Sequence, residues 1–94
     1  MSELVRLYAL VHGKVQGVYY RSFAAHAAKS LSVKGYVRNI SHTGDVEVIA
    51  EGERSKIEEM LQQLREGPPE AVVNSIDVTW SVYTGQFANF DVRY

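Results

Sequence analysis

Apolar and polar positions alternate from the start of the chain. Across residues 4–11, Val5, Leu7, Ala9 and Val11 fall on one side, with Arg6, Tyr8 and Leu10 on the other and His12 continuing that second row. A period of two predicts a strand with one buried face. Gly13 breaks the pattern, and Lys14, Val15, Gln16, Gly17 and Val18 make a short loop bracketed by two glycines. The period then changes. Phe23, Ala24, Ala27, Ala28 and Leu31 recur at three- and four-residue spacing, which predicts a helix over residues 21–31. Its alanines suit close packing on a sheet.

Alternation returns over residues 35–40, rich in Tyr and Val, and again over 46–50. Ser41, His42, Thr43, Gly44 and Asp45 form a turn cluster between them, so the two segments read as a hairpin, ended by Glu51, Gly52 and Glu53. Ile57, Met60, Leu61 and Leu64 predict a second helix over 54–65, stopped by Gly67, Pro68 and Pro69. Residues 71–82 alternate once more, and 87–94 read as a short last strand after a turn at Thr84 and Gly85. The order is β-α-β-β-α-β plus a terminal strand. It predicts an α+β, ferredoxin-like split βαβ sandwich, an antiparallel sheet with two helices on one face. Residues 1–94 are expected to form one domain, with no linker or repeat.

Composition narrows the function classes. Of 94 residues 46% are hydrophobic and 22% charged, the balance of a soluble globular protein. The net charge of −1 lacks the basic excess of a nucleic-acid binder, so a bound anion must be held by local geometry. Without cysteine there is no disulfide scaffold, thiolate nucleophile or Cys-based metal site. No apolar run approaches the roughly 18 residues of a membrane span. Met1, Ser2, Glu3 and Leu4 lack the basic, then apolar, start of a secretory leader, and the expected compartment is the cytoplasm.

Two places carry candidate chemistry. Residues 13–21 leave a strand and enter a helix through glycines, which allow close backbone approach to a ligand. Free amides there, with the helix N-terminus behind them, favour an anion. Arg21 falls in the first helical turn, a poor place for a cation unless a phosphate offsets the helix dipole. On spacing alone Arg21 also reads as a solvated surface residue. Asn39 offers a donor and an acceptor near the end of its strand, and reads equally as a turn asparagine.

Together the two segments carry a resemblance. Gly13-Lys14-Val15-Gln16-Gly17-Val18-Tyr19-Tyr20-Arg21 and Gly35-Tyr36-Val37-Arg38-Asn39 resemble the two signature motifs of the acylphosphatase family. Segments around Val46-Glu47-Val48, Ala50-Glu51-Gly52, Gly67-Pro68-Pro69 and Phe90-Asp91-Val92-Arg93-Tyr94 are similar as well. The resemblance implies hydrolysis of acyl phosphates to a carboxylate and orthophosphate, with neither metal nor cofactor. It implies that Arg21 binds the phosphoryl group, that Asn39 positions the water, and that Val15, Gln16, Gly17, Val18, Tyr19 and Tyr20 supply backbone amides. The implied partner is a small acyl phosphate, with inorganic phosphate inhibiting as product; charge and hydropathy point to neither nucleic acid nor membrane, and a monomer is the default expectation. Two departures are small: Thr43-Gly44-Asp45 in the hairpin turn, and Tyr20 where phenylalanine is frequent.

Two other readings stay open on the sequence. An RNA-recognition-type module shares the element order, and Lys34-Gly35-Tyr36-Val37 echoes the start of its motif, but residues 46–50 hold no aromatic. A non-catalytic phosphate-binding domain would keep the cradle alone. His12, His26 and His42 receive no role. Glu47, Glu51 and Glu53 read as a solvated acidic face, Trp80 as core, and most of the six tyrosines as cover for the sheet or its edge.

Overall fold

The computed structural model describes residues 3–94. Its elements are β1 (Leu4–Lys14), α1 (Tyr20–Ser30), β2 (Lys34–Ile40), β3 (Asp45–Glu53), α2 (Arg54–Glu66), β4 (Val72–Val82) and β5 (Phe90–Arg93). The strands form one sheet in the order β4-β1-β3-β2-β5. The expected ferredoxin-like order is present, with one difference. The first four strands pair antiparallel, whereas β5 runs parallel to β2, so the sheet is mixed.

The register explains the parallel edge. β4 ends at Val82, opposite Val5, and β2 begins at Lys34, opposite Glu51, which itself faces Arg6. All of these lie at one end of the sheet. Residues 83–89 cross along that end, and Phe90 enters opposite Gly35, so β5 must run in the same direction as β2.

The alternation of β1 works as expected: Val5, Leu7, Ala9 and Val11 are all buried. They meet Val46, Val48 and Ala50 of β3, Ala24, Ala27 and Ala28 of α1, and Ile57, Met60 and Leu64 of α2 in one core. Trp80 is half-buried against this core, with the Arg54 guanidinium 4.3 Å from its ring. Tyr20 departs from the expectation of a sheet-covering tyrosine. It is fully buried, and its hydroxyl donates to the Leu64 carbonyl at 2.6 Å, joining the start of α1 to the end of α2. Burial pushes its phenol well above the ordinary value.

Two strands are longer than their patterns suggest. β1 does not stop at Gly13 but continues to Lys14 through a bulge against β4. Gly13 is needed there because a β-carbon, at φ 136°, would run into the Val72 carbonyl oxygen. β3 extends to Glu53, which pairs with Leu4 and directly precedes α2.

Candidate active site

The ladder between β1 and β3 runs to Val11 opposite Val46, and the bulged end of β1 delivers the following loop beside the β2–β3 turn. Val15 and Val18 are buried and anchor that loop. Gly17 and Tyr19 both adopt left-handed backbone, with φ of 73° and 63°. A β-carbon on Gly17 would meet nothing within 4 Å, so its requirement is conformational. At Tyr19 the left-handed region costs about 1–2 kcal/mol, with a ring 80% exposed and little packing to offset it.

This strained entry leaves the helix start open. The first backbone bond of the turn runs from the Phe23 amide to the Tyr19 carbonyl, at 3.0 Å. Among the described residues, the amides from Gln16 through Ser22 donate to no backbone carbonyl. No side chain caps α1, and its first turn holds no acid. A run of free donors thus lies at the positive end of a helix dipole, the condition for holding an anion.

Arg21 is the second residue of α1. Its guanidinium lies 4.5 Å from the Tyr94 ring centre and donates from Nη1 to the Arg93 carbonyl at 3.4 Å. These contacts aim the fork without neutralising it. Asn39 follows the last β2 residue that β5 covers, since that pairing ends at Arg38 opposite Arg93. Its Oδ1 is buried and has no hydrogen-bond partner among the described residues. A cavity of about 420 Å³ is lined by Val15, Gly17, Tyr19, Tyr20, Arg21 and Asn39. A second, of about 500 Å³, adjoins it through Arg21, Asn39 and Tyr94 and extends along Arg38, Ile40 and His42. A further cavity of about 410 Å³ involves Leu4, Lys34, Lys56 and Phe87 at the other end of the sheet and shares no residue with these two.

Arg21, Asn39 and the glycine loop therefore meet. β3 stands between β1 and β2, so Asn39 reaches the loop across the start of β3. The side chain of Gln16 spans the same gap. Its Nε2 donates to the Ile40 carbonyl at 3.2 Å and the Asp45 carbonyl at 2.9 Å. Sequence reasoning credited Gln16 only with a backbone amide, because neither carbonyl partner leaves a mark in the residue pattern.

The open face of the sheet corrects another expectation. Glu47 and Glu51 are buried rather than solvated; Glu53 is exposed. Glu47 accepts from the Tyr8 and Tyr36 hydroxyls at 3.0 Å each and from Arg38 Nε at 2.6 Å. Burial alone would raise its carboxyl, but the donors from Arg38, Tyr36 and Tyr8 outweigh that and hold it below the ordinary carboxylate range. Glu51 is treated alike. Burial is outweighed by the Thr84 hydroxyl and amide, the Gly85 amide and Arg6. His12 bridges Asp77 at 2.8 Å and Asp45 at 2.9 Å, and the two carboxylates raise its pKa, Asp77 the more. His26 is exposed on α1, and exposed His42 lies in the β2–β3 turn, so neither histidine is embedded in the cradle.

A loop of free amides backed by a helix N-terminus, with arginine beside it, gives this α+β domain the make-up of an anion site. Comparison with known proteins gives that class a family. The acylphosphatase family pattern matches residues 7–92. An acylphosphatase of Dehalococcoides mccartyi is 46% identical over 88 residues, 94% of this chain and 97% of its own. One from Anaeromyxobacter is 45% identical over 94 residues, the full length of both. The solved acylphosphatase of Coxiella burnetii superimposes with a TM-score of 0.89 at 39% identity, covering 96% of this chain and 93% of its own. The chain belongs to the acylphosphatase family, a family of acyl phosphate hydrolases.

Proposed function

We propose that the chain hydrolyses the carboxyl–phosphate bond of small acyl phosphates without metal or cofactor, using Arg21 and the loop amides to hold the phosphoryl group and Asn39 to position the water. The observation that carries this reading is the convergence of Arg21 and Asn39, whose Oδ1 has no hydrogen-bond partner among the described residues, on one cavity beside free amides. Backbone donors from Val15, Gln16, Gly17, Val18, Tyr19 and Tyr20 take the phosphoryl oxygens, and the Arg21 fork meets two of them. The water oxygen bonds to phosphorus while the bond from phosphorus to the carboxyl oxygen breaks. The electron pair leaves with the carboxylate, and a phosphoryl oxygen takes the water's proton. A carboxylate is a good leaving group, so no strong acid is required. The remaining work is positioning and stabilisation of charge on the equatorial oxygens.

The open sheet face supports an enzyme over an RNA reader. Its two central tyrosines, Tyr8 and Tyr36, are tied to buried Glu47, which sets a negative charge where nucleotide bases would stack. Among the described residues no helix is long and apolar enough to cross a membrane. The reading includes a monomeric, cytoplasmic protein inhibited by its product. Benzoyl phosphate in EDTA is the test. Turnover is expected to survive the chelator, with inorganic phosphate competing for the same site and light scattering giving one chain per particle. Folded protein that leaves benzoyl phosphate intact overturns the reading, and turnover that vanishes in EDTA overturns its metal-free part.

A further inference from the structure

Among the described residues, no ladder pair includes a cradle residue: Asn39 pairs with Val46, which faces Val11 on β1, and the cradle begins beyond the end of β1. The β1–β3 ladder stops at Val11 opposite Val46, and the β2–β3 ladder ends at Ile40 opposite Asp45. Gln16 bridges what remains. One side-chain nitrogen holds both members of that last pair, Ile40 and Asp45, and Ile40 directly follows Asn39. The Ile40 carbonyl also accepts the Thr43 and Gly44 amides, at 3.2 and 3.0 Å, so the tether grips a point that the turn already fixes. Both partners are carbonyls, which sets the orientation of the carboxamide and uses both protons of its nitrogen.

We propose that Gln16 is a positioning residue, whose carboxamide sets the separation between the phosphate cradle and Asn39 and hence where the water stands relative to phosphorus. This rests on the acyl phosphate reading. Gln16 sits between the buried Val15 and the left-handed Gly17, so a shift of its side chain moves the loop that holds the phosphoryl group. A displacement on the order of 1 Å in such a geometry lowers rate by about a hundredfold. Methionine keeps the length of Gln16 and removes both donors. Glutamate keeps the shape and turns an acceptor toward two carbonyls.

The test is a double-mutant cycle with benzoyl phosphate. In Gln16→Met, kcat should fall roughly ten- to a hundredfold, while the Ki for inorganic phosphate stays near its wild-type value. Placed on Asn39→Ala, the same change should cost almost nothing further, because the residue it acts through is gone. Losses that multiply in the double variant, or a phosphate Ki that rises in step with the fall in kcat, overturn the proposal. Gln16→Glu is read by the same criteria if the methionine variant does not fold. An inert wild type would instead sink the acyl phosphate reading. The tether would then be judged by NMR, where the Asn39 side-chain amide signals must move in Gln16→Met and would stay in place if Gln16 did nothing.

Discussion

Asn39→Leu should separate turnover from stability, because one atom serves the first and burdens the second. Asn39 Oδ1 is buried with no hydrogen-bond partner among the described residues. An acceptor left unpaired in the interior costs about 1–3 kcal/mol. Leucine reproduces the branched shape of asparagine, removes that acceptor and suits a strand better than asparagine does. Water in the cavity that Asn39 lines offsets part of that cost, so the variant is expected to be at least as stable as wild type, with a gain of up to about 1 kcal/mol, or roughly 4–8 °C in Tm for a domain of this size. Catalysis should move the other way. Losing one preorganised polar group at the reacting centre lowers kcat by about 10²–10³, or ~2.7–4 kcal/mol. The phosphate Ki should hold, since Arg21 and the loop amides are untouched. The measurements are kcat on benzoyl phosphate, competition by inorganic phosphate, and thermal unfolding by circular dichroism. A variant less stable than wild type would make the carboxamide a structural partner, and one with unchanged kcat would remove it from the mechanism.

Arg21→Lys keeps the charge but loses the fork and the stack on Tyr94, so phosphate binding should weaken by about 1.5–3 kcal/mol, tenfold or more in Ki; an unaltered Ki would refute the bidentate grip. Glu47 and Glu51 titrate below their unfolded values, so their stabilisation is present above the ordinary carboxylate range and is lost as pH falls through the depressed values. Urea midpoints should therefore drop on acidification below about pH 4.3, and less steeply in Glu47→Gln; equal slopes would count against the network. His12 is raised, so its contribution is complete below about pH 6.5 and fades as pH climbs through the folded value. In an NMR titration Asp77→Asn should lower the His12 midpoint, and an unmoved midpoint would deny the bridge.

What could be read from the sequence follows from how local each signal is. The alternation of Val5, Leu7, Ala9 and Val11 and the stripe of Ile57, Met60 and Leu64 depend on near neighbours, and both place those residues in the core. Arg21 and Asn39 stand out as candidates because a glycine loop, a helix start and two motifs are short-range patterns. Burial of Glu47 was hidden because its donors come from Tyr8 on β1 and from Tyr36 and Arg38 on β2. Glu51 depends on Thr84 and Gly85, more than thirty residues away. Tyr20 looks like any surface tyrosine until α2 brings the Leu64 carbonyl to its hydroxyl. The parallel placement of β5 likewise depends on which end of the sheet residues 83–89 follow.

The donors proposed for the cradle belong to the main chain, and this makes them invisible to the usual genetic probe. An alanine scan across Gln16, Val18, Tyr19 and Tyr20 exchanges side chains and deletes none of these N–H groups. Such a scan would register damage to Val18 packing or to the Gln16 tether and yet report no anion ligand at all. Replacing single amides by esters, which deletes one hydrogen at a time without touching a side chain, would reveal them. Sequence drift along this stretch is correspondingly free wherever backbone angles and anchoring are kept, and a site of this design can survive in chains that share few of its letters.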